Sequence, residues 1–411
     1  MRNQIGVEPV SGHSVRFLKN WGNHPIYNLR FALVCLSSYF FSASFNMLIP
    51  ELPAYLSQMG GAEYKGLIIS LFTLTAGLSR PFSGRLTDTL GRKPVMFIGA
   101  FFCVICGFLY PVLGTVAGFL FLRLMHGFST GFSPTAYAAY VSDIVPANKW
   151  GEALGLQSIF FSVGMASGPA LGSYIKLYYS FEVLFYSSSL LAFCSIAFML
   201  ALKETVGQRK PLSWDMIKIT RHDIFAREVL PPSIVIFLSY LAFGSILTLI
   251  PDWSDGLGFA NKGLFFVVFT LSSVLVRFIA GKASDRNGRV PVIIVGLVGM
   301  VFSLSVMGSF ESQIGLMVAA TLYGLSLGIL SPALNAWTVD LSPTNARGKG
   351  IATMFIALEA GIGFGAFFSG WYYQDVLSRI PIVFYVCAVA NIIALGYIIH
   401  RSHRQRQTLE P

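Results

Sequence analysis

The chain has 411 residues, of which 54% are hydrophobic, 14% aromatic and only 12% charged, and its formal net charge is +10. That leaves far too little polar surface to cover a soluble globule of this length, so composition alone describes a membrane protein. The positive charge could point to nucleic acid, and its placement along the chain decides the matter.

In chain order, residues 1–28 are polar and hold no cleavable-signal pattern. Within them Phe17, Leu18, Trp21 and Ile26 beside Arg16 and Lys19 would suit a membrane surface, although a solvated segment is the plainer expectation. Apolar runs follow; Val95 to Gly114, for example, carries no charge over the ~20 residues needed to cross a ~30 Å hydrocarbon core. Spans are expected near 29–56, 64–86, 93–114, 116–142, 150–176, 181–202, 231–256, 262–284, 290–310, 313–339, 349–373 and 380–400. The fold class is thus an all-α membrane protein of twelve transmembrane helices in two six-helix bundles, 29–202 and 231–400. Lys203 to Leu230, mixed in charge and near the midpoint, reads as the linker, with Ser213 to Ala226 able to lie on the membrane surface. Residues 401–411 form a tail.

If the N-terminus is cytoplasmic, 24 of the 29 Lys and Arg fall on the cytoplasmic side and four, Lys65, Lys176, Lys262 and Arg379, on the other, with Arg123 inside a span. This positive-inside asymmetry places both termini in the cytoplasm and the chain in the cell's inner (plasma) membrane, and explains the charge without nucleic acid. Cys103 and Cys106 form a CxxC inside an apolar run with no second pair, so they read as small apolar side chains and no metal site is expected.

One offset relates the halves. Adding 197 carries Arg80 to Arg277, Gly84 to Gly281, Asp88 to Asp285, Gly91 to Gly288, Arg92 to Arg289, Gly127 to Gly324, Gly131 to Gly328, Asp143 to Asp340, Gly164 to Gly361 and Gly168 to Gly365. Ile49, Pro50 and Glu51 match Ile250, Pro251 and Asp252 at 201. Both copies have an even number of spans, so they are parallel repeats about an axis along the membrane normal.

Gly84 and Gly281 would let backbones approach closely, Gly91 and Gly288 supply a turn without a Cβ, and Asp88 and Asp285 can face the positive N-terminus of a helix from the other half. Arg92 and Arg289 can pair with Asp143 and Asp340. These segments, GRLTDTLGRKPVM from Gly84 and GKASDRNGRVPV from Gly281, resemble motif A of the major facilitator superfamily, and the resemblance extends over nearly the whole chain. It implies that the network latches the cytoplasmic gate and breaks when the halves rock. Arg123, His126, Gly127 and Gly131 resemble the family's motif B, with His126 in place of the usual amide; Arg123 should face the interior and have a partner. Gly164, Gly168, Pro169 and Gly172 resemble motif C, which in the family accompanies efflux antiporters, and small residues four apart otherwise serve close helix packing.

Glu359 is the one carboxylate near the centre of a span, and as a cavity-facing group it could exchange a proton; a hydrogen-bonded structural Glu is the competing expectation. Glu51 and Asp252, at outer span ends, read as wet rim charges. The solute site should lie between the halves near midplane, with Tyr39, Asn46, Tyr137, Phe243, Asn335 and Trp337 as lining candidates. No catalytic constellation or Walker loop is present, so the chain is not expected to be an enzyme and the proton gradient, not a cofactor, is the expected drive. These readings imply a monomeric secondary transporter of a small solute in the lipid bilayer, by proton-coupled efflux antiport. Proton-coupled uptake symport is the alternative, and a non-transporting receptor or assembly factor a remote one.

Overall fold

The computed structural model describes residues 28–146, 149–207, 226–342 and 347–407. The N-terminal segment, linker residues 208–225 with most of the surface-lying candidate, and the end of the tail lie outside the described residues. Among the described residues there is no strand. Twelve long helices follow one another: α1 (Leu29–Asn46), α2 (Lys65–Thr89), α3 (Arg92–Leu109), α4 (Val116–Ile144), α5 (Trp150–Tyr178), α6 (Phe181–Leu200), α7 (Leu230–Gly256), α8 (Leu264–Asn287), α9 (Arg289–Ser309), α10 (Gln313–Leu341), α11 (Arg347–Tyr373) and α12 (Ile380–Gln407).

Local chemistry sets their starts. The side chains of Asn28, Thr115, Ser180 and Ser312 each accept a hydrogen bond from the backbone N–H three residues on, satisfying one of the free donors of the first turn. Thr115 and Ser312 stand 197 apart, so the repeat extends to the cap of its fourth helix. The turns before α3 and α9 are made by Gly91 at φ 121° and Gly288 at φ 86°, conformations that strain any residue with a Cβ.

Eight of the helices are apolar enough to cross a membrane by composition alone, and α8 makes a ninth if its two segments, bent by 44° at residue 278, are counted as one span. The others, α1, α2 and α4, carry serines or charged groups that they turn inward: Ser37, Ser38, Ser42, Ser44, Arg123 and His126 are buried. The first expected span is corrected in one respect. It does not run to residue 56 but breaks after Asn46, and a separate short helix, Leu52–Gln58, follows a turn. Pro50 and Pro53, three apart, remove two backbone donors there, whereas α7, whose other prolines stand in its first turn, passes through Pro251 unbroken.

The packing is the same in both halves. α1 lies on α5 and α6, α2 on α4, and α3 on α4 and α6; α7 lies on α11 and α12, α8 on α10, and α9 on α10 and α12. Across the seam α2 meets α11 and α8 meets α5, again an equivalent pair. The side reached by the α2–α3 and α8–α9 turns is the basic side, and the opposite one the far side.

Candidate transport pathway

On the basic side each half carries its own charge cluster. Arg92 donates from Nη1 to Asp88 at 2.7 Å and from Nε to Asp143 at 3.0 Å. Arg289 does the same to Asp285 at 2.5 Å and Asp340 at 2.8 Å. Glu204 accepts from the backbone N–H groups of Arg92 and Lys93 at 3.1 Å each, capping α3 with a carboxylate.

Two expectations for this motif are corrected. Asp88 and Asp285 do not face a helix of the opposite half; their side chains are 74% and 71% exposed and bind only the arginine one turn on. Gly84 and Gly281 have no atom within 4 Å of where a Cβ would stand, so no backbone approaches them. For Gly84 and Asp88 this follows from the shape of the molecule, because a cavity of about 800 Å³ opens between α2, α4 and α11, lined by Arg80, Asp88, Thr135, Lys349 and Phe355 among others.

The far side is closed. Lys65, at the start of α2, is buried and bridges to the C-terminal half, donating to Asp252 of α7 at 2.7 Å and to Asp375 beyond α11. Gly66 packs against Gly370 and the Ala366 carbonyl so closely that a Cβ would collide. The equivalent contact on the other flank sets Gly263 against the Pro169 backbone, with Asn261 donating to the Ala170 carbonyl at 3.0 Å. Glu51 and Asp252 are therefore not wet rim charges. Glu51 is buried, accepts from Ser173 Oγ at 2.7 Å and lies in the field of Lys262, while Asp252 is locked to Lys65. Sequence reading passed over Lys65, yet Lys65 and Lys262 also stand 197 apart, and that match on the side poor in basic residues was the available signal.

Between the two ends, Glu359 of α11 is joined across the seam to Arg80 of α2, whose Nη2 and Nε donate to one carboxylate oxygen at 2.6 and 3.1 Å. Arg80 also lies over the Phe355 ring at 4.5 Å, and Gly77 leaves room for the Glu359 stem. Glu359 is buried, so it is a seam residue rather than an open cavity wall; the cavity reaches it through Arg80. A lateral apolar groove of about 570 Å³ between α2 and α11, walled by Leu74, Leu78 and Phe367, touches it from the other side. Neither Arg80 nor its pairing was picked out in the sequence beyond the repeat, because a contact between residues 279 positions apart has no local signature.

The motif B residues lie inside the N-terminal half. Arg123 is 2% exposed, donates from Nε to the Ile68 carbonyl at 2.8 Å and stacks on Phe72 at 4.6 Å. Its partners are neutral. His126 is fully enclosed, with Nδ1 3.2 Å from the Tyr110 hydroxyl and Nε2 3.4 Å from Cys103 Sγ. In motif C, Gly164, Gly168 and Gly172 press on the backbone of α1 from Tyr39 to Met47, and Pro169 turns to α8.

The proposed cavity lining divides. Tyr39 is half-buried and receives a hydrogen bond from Ser167 at 3.4 Å, Phe243 packs on Tyr240 and Phe269, and Asn335 is exposed. Tyr137 and Trp337 are corrected. Tyr137 is buried within its own half against Ser37 and Ser195, and Trp337 is buried among core apolar side chains. Asn46 is also turned inward, donating to the Ser42 carbonyl at 2.8 Å. Polar groups inside a bilayer bind each other before they face a cavity, which residue type alone does not reveal.

The family model described as Major Facilitator Superfamily matches residues 34–260 and 232–411. The chain is 27% identical over 337 residues to the multi-drug resistance efflux pump PmrA of Streptococcus pneumoniae, covering 79% of this chain and 82% of that protein. It is equally 27% identical over 331 residues to the multidrug resistance protein MdtG of Escherichia fergusonii, covering 76% and 80%. Among solved structures, a D-xylose-proton symporter superposes with a TM-score of 0.74 at 14% identity, over 90% of this chain and 96% of that one.

Proposed function

The chain belongs to the major facilitator superfamily, and from that premise we propose that it exports a small solute across the cell's inner membrane by alternating access, in exchange for protons. Both termini are then cytoplasmic, the basic side faces the cytoplasm, and the structure is the cytoplasm-facing state. The relatives named as efflux pumps support the outward direction.

The observation that carries the coupling is the Arg80–Glu359 pair. It ties α2 to α11 across the seam, beside a cavity that leads to the basic side. A carboxylate so placed holds the halves while ionised and releases Arg80 when a proton arrives, so its occupancy by a proton biases the rocking of one half on the other. His126 and Arg123 have no such position, being sealed inside one half.

The test follows internal pH in proteoliposomes under an imposed pH gradient while panels of drugs, sugars and small acids are added. Solute-evoked proton flux opposite to the solute is expected for the wild type, with loss of that flux in Glu359→Gln. Proton movement in the same direction as the solute overturns antiport, and an unaltered response in the variant removes Glu359 from the coupling path.

A further inference from the structure

The repeat offset that carries Arg80 to Arg277 also carries Ser162 to Glu359. Both pairs meet at equivalent places on the seam, but they differ in charge. Arg80 faces a carboxylate, whereas Arg277 of α8 has only hydroxyls: Nη1 is 3.4 Å from Ser162 Oγ and Nη2 3.3 Å from Ser273 Oγ, both at the long limit of hydrogen bonding. Its Nε is buried with no partner, and among the described residues no carboxylate lies within ion-pair distance of it.

Arg123 also lacks an acid, but it is sealed inside one half with its Nε satisfied by Ile68, and a solute moving between the halves does not meet it. Arg277 stands at the seam itself, where α8 meets α5. The two pairs, Arg80 with Glu359 and Arg277 with Ser162, form one polar belt across the seam. The belt holds two guanidinium groups and one carboxylate, an excess of one positive charge where an uncompensated cation is costly.

Resting on the transport reading above, we propose that Arg277 is the recognition point for a carboxylate on the transported solute. A planar guanidinium whose donors are met only by distant hydroxyls matches the bidentate edge of a carboxylate. One negative charge balances the belt, while a dianion leaves it net negative. Ser162, 3.4 Å from Arg277 Nη1, stands where it can also touch the bound group.

The test uses the full chain in phosphatidylcholine nanodiscs and reads thermal midpoints and binding isotherms with matched probes: benzoate, benzamide and benzylamine, the same trio on an aliphatic six-carbon skeleton, and inorganic phosphate. The carboxylates are expected to raise the midpoint and the amides, amines and phosphate are not. Arg277→Gln should weaken the carboxylate response about tenfold or more, with partial rescue by Arg277→Lys. Ser162→Glu, which sets an acid opposite Arg277 as Glu359 stands opposite Arg80, should raise the ligand-free midpoint and abolish the response. No carboxylate response in the wild type, a preference for amides or amines, or an undiminished response in Arg277→Gln each overturns the proposal. So does stabilisation seen only when phosphatidylglycerol replaces the neutral lipid, which assigns the cation to a headgroup. Carboxylate binding without solute flux in proteoliposomes leaves the anion site standing and sinks the transport reading instead; flux indifferent to Arg277 does the reverse.

Discussion

Three cations set among the helices, Lys65 and Arg123 buried and Arg80 half-buried, illustrate how environment sets the role of a residue. Lys65 is held by two aspartates of the opposite half, Arg80 by Glu359, and Arg123 by a carbonyl and an aromatic face. Arg123→Leu leaves the Ile68 carbonyl and the Tyr110 hydroxyl short of a buried donor, and is expected to cost about 1–3 kcal/mol, read as a lower thermal midpoint in detergent. Because Arg123 touches neither the seam nor the cavity, the proposed exchange predicts an unchanged ratio of protons to solute in the surviving protein, and a changed ratio would give it a coupling role. That an arginine inside span 4 faces inward was legible from the cost of a charge in lipid. That its partners are neutral was not, since a carbonyl and a ring are available from every residue or from any of many aromatics.

At the scale of the helix, glycines with the same apparent purpose separate into two kinds. A Cβ at Gly168 of α5 would stand 2.8 Å from the Ala43 carbonyl and 3.1 Å from the Met47 nitrogen of α1, so Gly168→Leu should prise the two helices apart at a cost of about 1–3 kcal/mol or more. Gly84 meets nothing. Gly84→Leu should leave the thermal midpoint within about 0.5 kcal/mol of wild type in stability, yet slow transport, because the proposed alternating access brings a neighbour against that face only in the state closed on the basic side. Equal midpoints with undiminished solute flux would show that Gly84 is not approached in any state of the cycle. Both glycines stood out in the sequence at repeat-matched positions; which one is in contact depends on the conformation adopted.

For the whole molecule, the far-side closure rests on Lys65. Lys65→Met leaves Asp252, 12% exposed, without its cation, a loss of up to about 3 kcal/mol for a broken and largely enclosed pair, borne by the closed state alone. Spin labels at Glu63 and Tyr372, beside α2 and α11 on that side, should then show a second, longer distance population; an unaltered distribution would mean that the Gly66–Gly370 packing closes this side by itself. The sequence by itself determined the membrane class, the twelve long helices, the duplication and the sidedness of the basic residues, because each is written locally or at one fixed offset: hydropathy over a helix length, caps and turns, and the 197-residue register. The tertiary structure alone decided that Tyr137 and Trp337 are core, that Glu51 and Lys65 belong to the closed side, and that Glu359 meets Arg80 while Arg277 meets Ser162. Those are contacts between residues far apart in the sequence, and in a medium without water each polar group takes whichever partner the packing of helices brings within reach.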